Sequence, residues 1–259
     1  VTHHEPMGPR TRTAVVTGGA SPRSIGRATA TRFARDGWAV AILDVDGEGA
    51  IALARELAGE FGVPAAGYGV DITDSGAVND VAARVAASEL PPVGALANIA
   101  GIPSPVAFLE VDDALWDKII AVNLTGTFYV TRAFLPAMID HGYGRVVNMS
   151  SVSAQQGGGV FSKTPYSAAK AGVLGLTRSL AREMAPEGIT VNAISPGAAD
   201  TTIRGDTTAE AEAALSASIP MGRQATADEI GALVVWLSGA DAGYITGTTQ
   251  AINGGSYIS

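Results

Sequence analysis

Thr13-Ala-Val-Val-Thr-Gly-Gly-Ala-Ser-Pro-Arg-Ser-Ile-Gly26 is the stretch whose reading decides the fold. Five β-rich, mostly apolar residues lead into a glycine-bearing turn, and a helical pattern then runs to Asp36, where Gly37 stops it. Trp38-Ala-Val-Ala-Ile-Leu-Asp44 follows as a second buried strand, ending in a carboxylate about twenty residues beyond the turn. A turn of this kind lets backbone N–H groups approach a phosphate at the positive end of a helix. An acid at that distance can hydrogen-bond a ribose diol. A lone glycine-rich turn is usually only a turn, but strand, turn, helix, strand and terminal acid together describe a dinucleotide site.

Outward from this unit the alternation continues. Helices are expected at Gly47 to Phe61, Ser75 to Glu89 and Thr226 to Ser238, the last opened by the capping box Thr226-Ala-Asp-Glu229. A further helix carries Tyr166 and Lys170 and runs to about Ala185. One long amphipathic segment, Asp112 to Ile139, holds Asn123 in its middle. Strands are expected at Ala65 to Val70, Val93 to Ala97, Gly144 to Met149, Ile189 to Ile194 and Thr248 to Ile252. Seven short strands separated by helices imply a single doubly wound α/β domain with a parallel sheet flanked by helices. The expected organisation is a loose tail over 1–12, then one domain over 13–259 with a substrate lid at about 198–220.

Composition narrows the function. The 259 residues are 47% hydrophobic and 16% charged, enough apolar material for a large core. Net charge is −8 and no Lys/Arg run occurs, which disfavours a nucleic acid or an anionic membrane surface as partner. No apolar run approaches a bilayer span, and the absence of cysteine removes disulfides and thiolate metal sites. His3 and His4 are adjacent and His141 is isolated, so no metal site is expected. A cytoplasmic enzyme acting on a small molecule fits these bounds.

Tyr166-Ser-Ala-Ala-Lys170 supplies the chemistry. A spacing of four places phenol and ammonium on one helical face, and a nearby cation stabilises tyrosinate, so the pair can move a proton. In isolation such a pair is most often a half-buried ring beside a solvated charge. In a doubly wound sheet, however, ligands sit outside the carboxyl ends of the strands. Gly18, Asp44, Asp71, Asn98, Ser151 and Pro196 all fall at those ends and converge on one crevice.

These motifs resemble the short-chain dehydrogenase/reductase family from about Thr13 to Gly255. The matching pieces are Thr17-Gly18, Asp71, Asn98-Ile-Ala-Gly101, Asn123, Ser151, Tyr166-Ser-Ala-Ala-Lys170, Asn192-Ala-Ile-Ser-Pro-Gly197 and Thr201. The resemblance implies that Tyr166 exchanges a proton with the substrate oxygen, which Ser151 polarises. Lys170 would bind the nicotinamide ribose and lower the pKa of Tyr166, and Asn123 would hold a water linking Lys170 to solvent. Cofactor contacts are implied for Gly18, Ser21, Arg23, Ser24, Ile25 and Gly26 in the turn, and for Asp44, Asp71 and Ile72. They are implied likewise for Asn98, Ala100, Gly101, Tyr166, Lys170, Pro196, Gly197 and Thr201.

Several positions depart from the family pattern. Pro22 and Arg23 lengthen the phosphate turn, Ser24 stands where its middle glycine usually falls, and Ile99 replaces an asparagine. The interval to Tyr166 is long enough that Ser153 is an alternative to Ser151. A similar Ser-Ile turn occurs in related enoyl reductases, but those place the lysine farther from the tyrosine, so carbonyl chemistry is kept. Asp44 favours NAD by repelling a 2′-phosphate, whereas Arg23 stands where NADP-using members often carry a base; NAD is the expected cofactor ahead of NADP.

Pocket walls are expected from Gln156, Val160, Phe161 and Ile203. The reading is an NAD-dependent enzyme interconverting a secondary alcohol and a ketone on a polyol, sugar or hydroxy acid. A 3-oxoacyl reductase of the same fold and a non-catalytic NAD(H)-binding sensor are the alternatives. Small residues along the Tyr166 helix, with the resemblance, imply a homotetramer.

Overall fold

The computed structural model describes residues 12–159, 161–202 and 208–258. The expected wall residues Val160 and Ile203 lie outside the described residues, as does most of the expected tail. Arg12, assigned to that tail, is instead buried, its guanidinium stacked 3.2 Å from the centre of the Tyr143 ring. Its carbonyl accepts the Ala39 N–H, which ties it to the sheet.

Strands β1 (Thr13–Thr17), β2 (Ala39–Asp44), β3 (Ala65–Gly69), β4 (Val93–Asn98), β5 (Gly144–Met149), β6 (Ile189–Pro196) and β9 (Thr249–Ile252) form one sheet. Its order is β3-β2-β1-β4-β5-β6-β9 and every pairing is parallel. The helices of this layer are α1 (Ile25–Arg35), α2 (Gly47–Phe61), α3 (Ser75–Ala86), α4 (Asp113–Ile120), α5 (Gly126–Asp140), α7 (Thr164–Met184) and α9 (Ala227–Ser238).

Period-two alternation divides the strand side chains between two cores. Ala14, Val16, Val40 and Ile42 join Phe33 of α1, Leu53 of α2 and Val234 of α9. Val15, Ala41 and Leu43 join Val81 of α3, Phe134 of α5 and Ala181 of α7 on the other face. The strand order reverses between β1 and β4, opening a crevice beyond their carboxyl ends.

Differences from the sequence reading lie mostly beyond the sheet. The single amphipathic segment is two α-helices joined by a π-helical turn, Ala121–Thr125. Short α6 (Ser153–Gln156) precedes the glycine loop, and α8 (Ala209–Ala217) occupies the expected lid. Strands β7 (Ala199–Asp200) and β8 (Ala225–Thr226) pair as a separate two-stranded sheet. The capping box at Thr226 and Glu229 forms as its spacing predicts.

Candidate active site

The glycine turn shows why these residues stand where they do. Gly18 has φ +76°, and a Cβ there would lie 2.9 Å from the Ala100 Cα, so β1 and β4 can leave the sheet side by side. A Cβ on Gly26 would fall 2.2 Å from the Gly18 carbonyl oxygen, so only glycine lets α1 start against the turn. Ser24, standing where the resemblance puts a glycine, is the α1 N-cap: its Oγ accepts the Arg27 N–H at 3.1 Å.

No acid occupies the first turn of α1, which leaves the positive end of the helix uncompensated. Asp44 faces the same turn, its Oδ2 accepting the Ala20 N–H at 2.9 Å and its Oδ1 the Asp46 N–H at 3.0 Å. A cradle with no room for side chains, a free helix N-terminus and an adjacent carboxylate fit the pyrophosphate and ribose of a dinucleotide. Gly26→Ala is therefore expected to destabilise the fold by about 1–3 kcal/mol through overpacking and to weaken dinucleotide binding. Thermal melts and NADH fluorescence titration check both effects.

Past the end of β5, Ser151 and α7 bring the candidate proton-handling groups together. Burial pushes the Tyr166 phenol up to about 12, and a hydrogen bond with Ser151 works in the opposite direction. Lys170 is buried too, its Nζ donating to the Met149 carbonyl at 2.9 Å and lying 5.6 Å from the Tyr166 ring centre. Burial brings its pKa down to about 8. The sequence argument, that Lys170 lowers the Tyr166 pKa, thus gives the wrong net direction here: both groups lose water, and desolvation favours the neutral form of each.

Ser151, not Ser153, meets the tyrosine. The Ser151 Oγ accepts the Ser153 N–H at 3.1 Å, while the Ser153 hydroxyl is engaged with the Ser162 hydroxyl at 2.6 Å.

Asn123 is buried within the π-helical turn. Its Nδ2 donates to the carbonyls of Ile119 and Ile102, both at 3.0 Å, and its Oδ1 accepts the Ile102 N–H at 3.3 Å. A wider turn changes the ordinary helical bonding, and the side chain takes up the carbonyl four residues back. A Cβ on Gly101 would lie 2.7 Å from the Asn123 Oδ1 and 3.3 Å from the Lys170 Nζ, so the two groups border the same glycine.

The crevice encloses about 1120 Å³. Gly18, Ser21, Ser24, Ile25, Gly26, Asp44, Asp71, Ile72, Ala100 and Gly101 line it, with Ser151, Tyr166, Lys170, Pro196, Gly197 and Thr201 on the same wall. Three expected residues do not reach that wall. Asn98 is buried in the sheet, its Nδ2 donating to Thr131 and Asn148, and Asn123 stands behind Gly101. Arg23 turns outward to an exposed ion pair with Asp200. Thr202 and Ser21 add a 3.0 Å hydroxyl contact to that bridge between lid and phosphate turn.

Ile102, Lys118 and Val122 escaped the sequence reading, while Leu215 and Ile219 fall within the expected lid without having been singled out. Lys118 and Val122 stand one turn apart ahead of Asn123, a face that helical spacing offered.

Among the described residues no helix is long and apolar enough to cross a membrane, and no group of three His, Cys, Asp or Glu is placed to hold a metal ion.

A family model described as Enoyl-(Acyl carrier protein) reductase matches residues 18–257. An uncharacterized short-chain type dehydrogenase/reductase of Sinorhizobium fredii is 41% identical over 248 residues, 95% of this chain and 98% of its own length. Acetoacetyl-CoA reductase of Rhizobium meliloti is 40% identical, with 96% of this chain and 99% of the relative covered. The 3-oxoacyl-(acyl-carrier-protein) reductase of Aquifex aeolicus is 36% identical, over 95% of this chain and 97% of its own. A parallel sheet with this strand order, a dinucleotide cradle and full-length relatives lead to one conclusion: the chain is an oxidoreductase of the short-chain dehydrogenase/reductase family, which works with nicotinamide cofactors.

Proposed function

We propose that this protein interconverts a 3-oxoacyl thioester and the corresponding 3-hydroxyacyl thioester, using NAD(H). The observation that carries the reading is the Ser151, Tyr166 and Lys170 group facing a substrate end whose described lining is uncharged. The crevice lining from 152–162 and 198–220 contains no acidic or basic side chain among the described residues. Phe161, Leu215 and Ile219 are part of it. A hydroxy acid needs a cation for its carboxylate, which this described lining does not offer, while a polyol or sugar needs polar partners around most of its length, where Phe161, Leu215, Ile219 and Pro220 instead stand among the hydroxyls of Ser153, Ser162, Thr201 and Thr202. An acyl chain needs neither, and relatives named for acetoacetyl-CoA and 3-oxoacyl thioesters support the same class. The second expectation from the sequence is thus favoured over the polyol and hydroxy-acid reading.

The nicotinamide cofactor, when bound, supplies a hydride to the carbonyl carbon or accepts one in the reverse direction. Tyr166, protonated at neutral pH by its burial, gives its proton to the carbonyl oxygen. Ser151 donates a hydrogen bond to that same oxygen and holds it against the phenol. Lys170 supplies positive charge beside the phenolate left behind. Asn123 positions Lys170 from across Gly101. A proton relay of this kind has no use in a sensor.

Gly18, Ser21, Ser24, Ile25 and Gly26 would hold the pyrophosphate, and Asp71, Ile72, Ala100 and Gly101 the nucleoside beside it. Pro196, Gly197 and Thr201 would border the nicotinamide. Preference for NAD rests on Asp44, a carboxylate on the crevice wall, together with the engagement of Arg23 by Asp200. Asp44→Ser is expected to shift the kcat/KM ratio towards NADPH by about tenfold or more, roughly 1.4 kcal/mol. An unchanged ratio removes Asp44 as the selector.

The homotetramer belongs to the same proposal, supported by exposed Phe108, Leu109, Trp116 and Phe128 before and along α4 and α5. Assay of the purified protein with acetoacetyl-CoA, polyols, sugars and hydroxy acids tests the whole reading. Turnover confined to a polyol or hydroxy acid would overturn it.

A further inference from the structure

A second, smaller cavity of about 90 Å³ adjoins the crevice beneath the lid. Ile219 and Ala198 line both spaces, so they form the partition between them. Ile219 is the bulky member and is buried. Gly254 lets it sit there: a Cβ at that position would lie 2.7 Å from the Ile219 Cγ2. The Met221 N–H donates to the Gly254 carbonyl at 3.1 Å, which pins the segment carrying Ile219 to the turn after β9.

The chemistry of the side cavity is that of an aliphatic group. Met221, Ala225 and Ile252 line it. Its charged residues, Arg223 and Glu229, neutralise each other in a two-pronged pair at 2.7 and 2.9 Å. The Asn253 amide is also engaged, its Nδ2 donating to Tyr257 and its Oδ1 accepting from Gly255. With these polar groups paired internally, a charged or strongly polar ligand gains little there, whereas an alkyl tail meets Met221, Ala225 and Ile252. The volume accommodates roughly three water- or methylene-sized groups.

We infer that Ile219 is a specificity-determining residue, a partition that limits the length of the substrate's aliphatic tail and that opens into a ready-made alkyl chamber when shortened. The thioester form of this inference rests on the proposed function; the partition itself applies to any linear aliphatic ketone.

The test uses two substrate series with purified full-length protein: 3-oxoacyl N-acetylcysteamine thioesters and linear 2-alkanones, each from four to eight carbons. Native protein, Ile219→Ala and the gentler Ile219→Val are compared by kcat/KM. Each methylene newly buried is worth about a fourfold gain, so Ile219→Ala is expected to raise the eight-carbon to four-carbon ratio by about tenfold or more. Ile219→Val, which keeps the fold if the alanine variant does not, should raise it less.

Thioester turnover with an unchanged ratio in both variants overturns the partition and leaves the proposed function standing. A shifted ratio among alkanones with no thioester turnover keeps the partition and overturns the thioester reading. No turnover in either series overturns both.

Discussion

Tyr166→Phe is expected to lower turnover by about 10²–10⁴-fold, the range supplied by a positioned general acid, while NADH still binds. Only one oxygen is removed, the ring remains packed in α7, and the phosphate cradle of Gly18 and Gly26 is untouched. The split between chemistry and binding is the diagnostic part. Single-turnover kinetics with thioester substrate and a parallel NADH titration measure the two quantities separately. Near-native turnover in the phenylalanine variant would remove Tyr166 from the mechanism, and loss of NADH binding would make its role structural. Because the phenol is held protonated to about 12, it is a ready acid for carbonyl reduction at neutral pH. Alcohol oxidation needs the opposite form and should rise with pH where reduction does not.

Lys170→Met is expected to cost about 10²-fold or more in turnover and, at the same time, to make the protein more stable. A buried ammonium whose pKa falls from 10.5 to about 8 carries a cost on the order of 3 kcal/mol when charged. Methionine has nearly the same length and needs no water, although it forfeits the hydrogen bond to the Met149 carbonyl. The net gain expected is about 1–3 kcal/mol, or several degrees in melting temperature.

The pH dependence follows from the depressed folded-state pKa. Below about 8 Lys170 is charged in both folded and unfolded chains, and the full burial cost is present. Between about 8 and 10.5 the folded chain binds fewer protons than the unfolded one, so native stability climbs and the advantage of the methionine variant shrinks. Melting curves across that window check the sign. A variant less stable than the native protein at pH 7 would show that the charge is not held at a cost.

Such opposed effects on stability and activity mark groups kept for chemistry. Lys170 is among the largest fully buried side chains of the protein, yet it has no carboxylate partner among the described residues. In the proposed reaction the phenolate of Tyr166 would supply a counter-charge, consistent with the role proposed for Lys170.

The division between sequence and tertiary structure follows the range of the forces involved. Thr13 to Asp44 could be read unaided because period-two strands, a glycine turn and a capped helix are local patterns, and repeating them along the chain leaves little choice but a doubly wound parallel sheet. The Tyr166 to Lys170 spacing, the Thr226 capping box and the strand-end positions of Asp44 and Ser151 are local in the same sense. The π-helical turn at Asn123 is not, because its side chain bonds across to Ile102 in another segment. Asn98 reads as a ligand by its place at a strand end, but it is buried in the sheet, its amide nitrogen donating to Thr131 and Asn148 on neighbouring elements.

Arg23 likewise reads as a phosphate contact until Asp200, far along the chain, draws it outward. Ser151, favoured by its place directly after β5, is set apart from Ser153 by its hydrogen bond with Tyr166 and by the Ser162 hydroxyl that occupies Ser153. The sequence determined the fold class, the glycine turn against α1 and the spacing of the candidate pair Tyr166 and Lys170, since these depend on backbone preferences and periodicity. Tertiary structure alone decided which polar groups face the crevice, in which direction burial moves Tyr166 and Lys170, and that Ile219 walls off a second cavity. Desolvation and packing depend on neighbours that the chain brings together only when it folds.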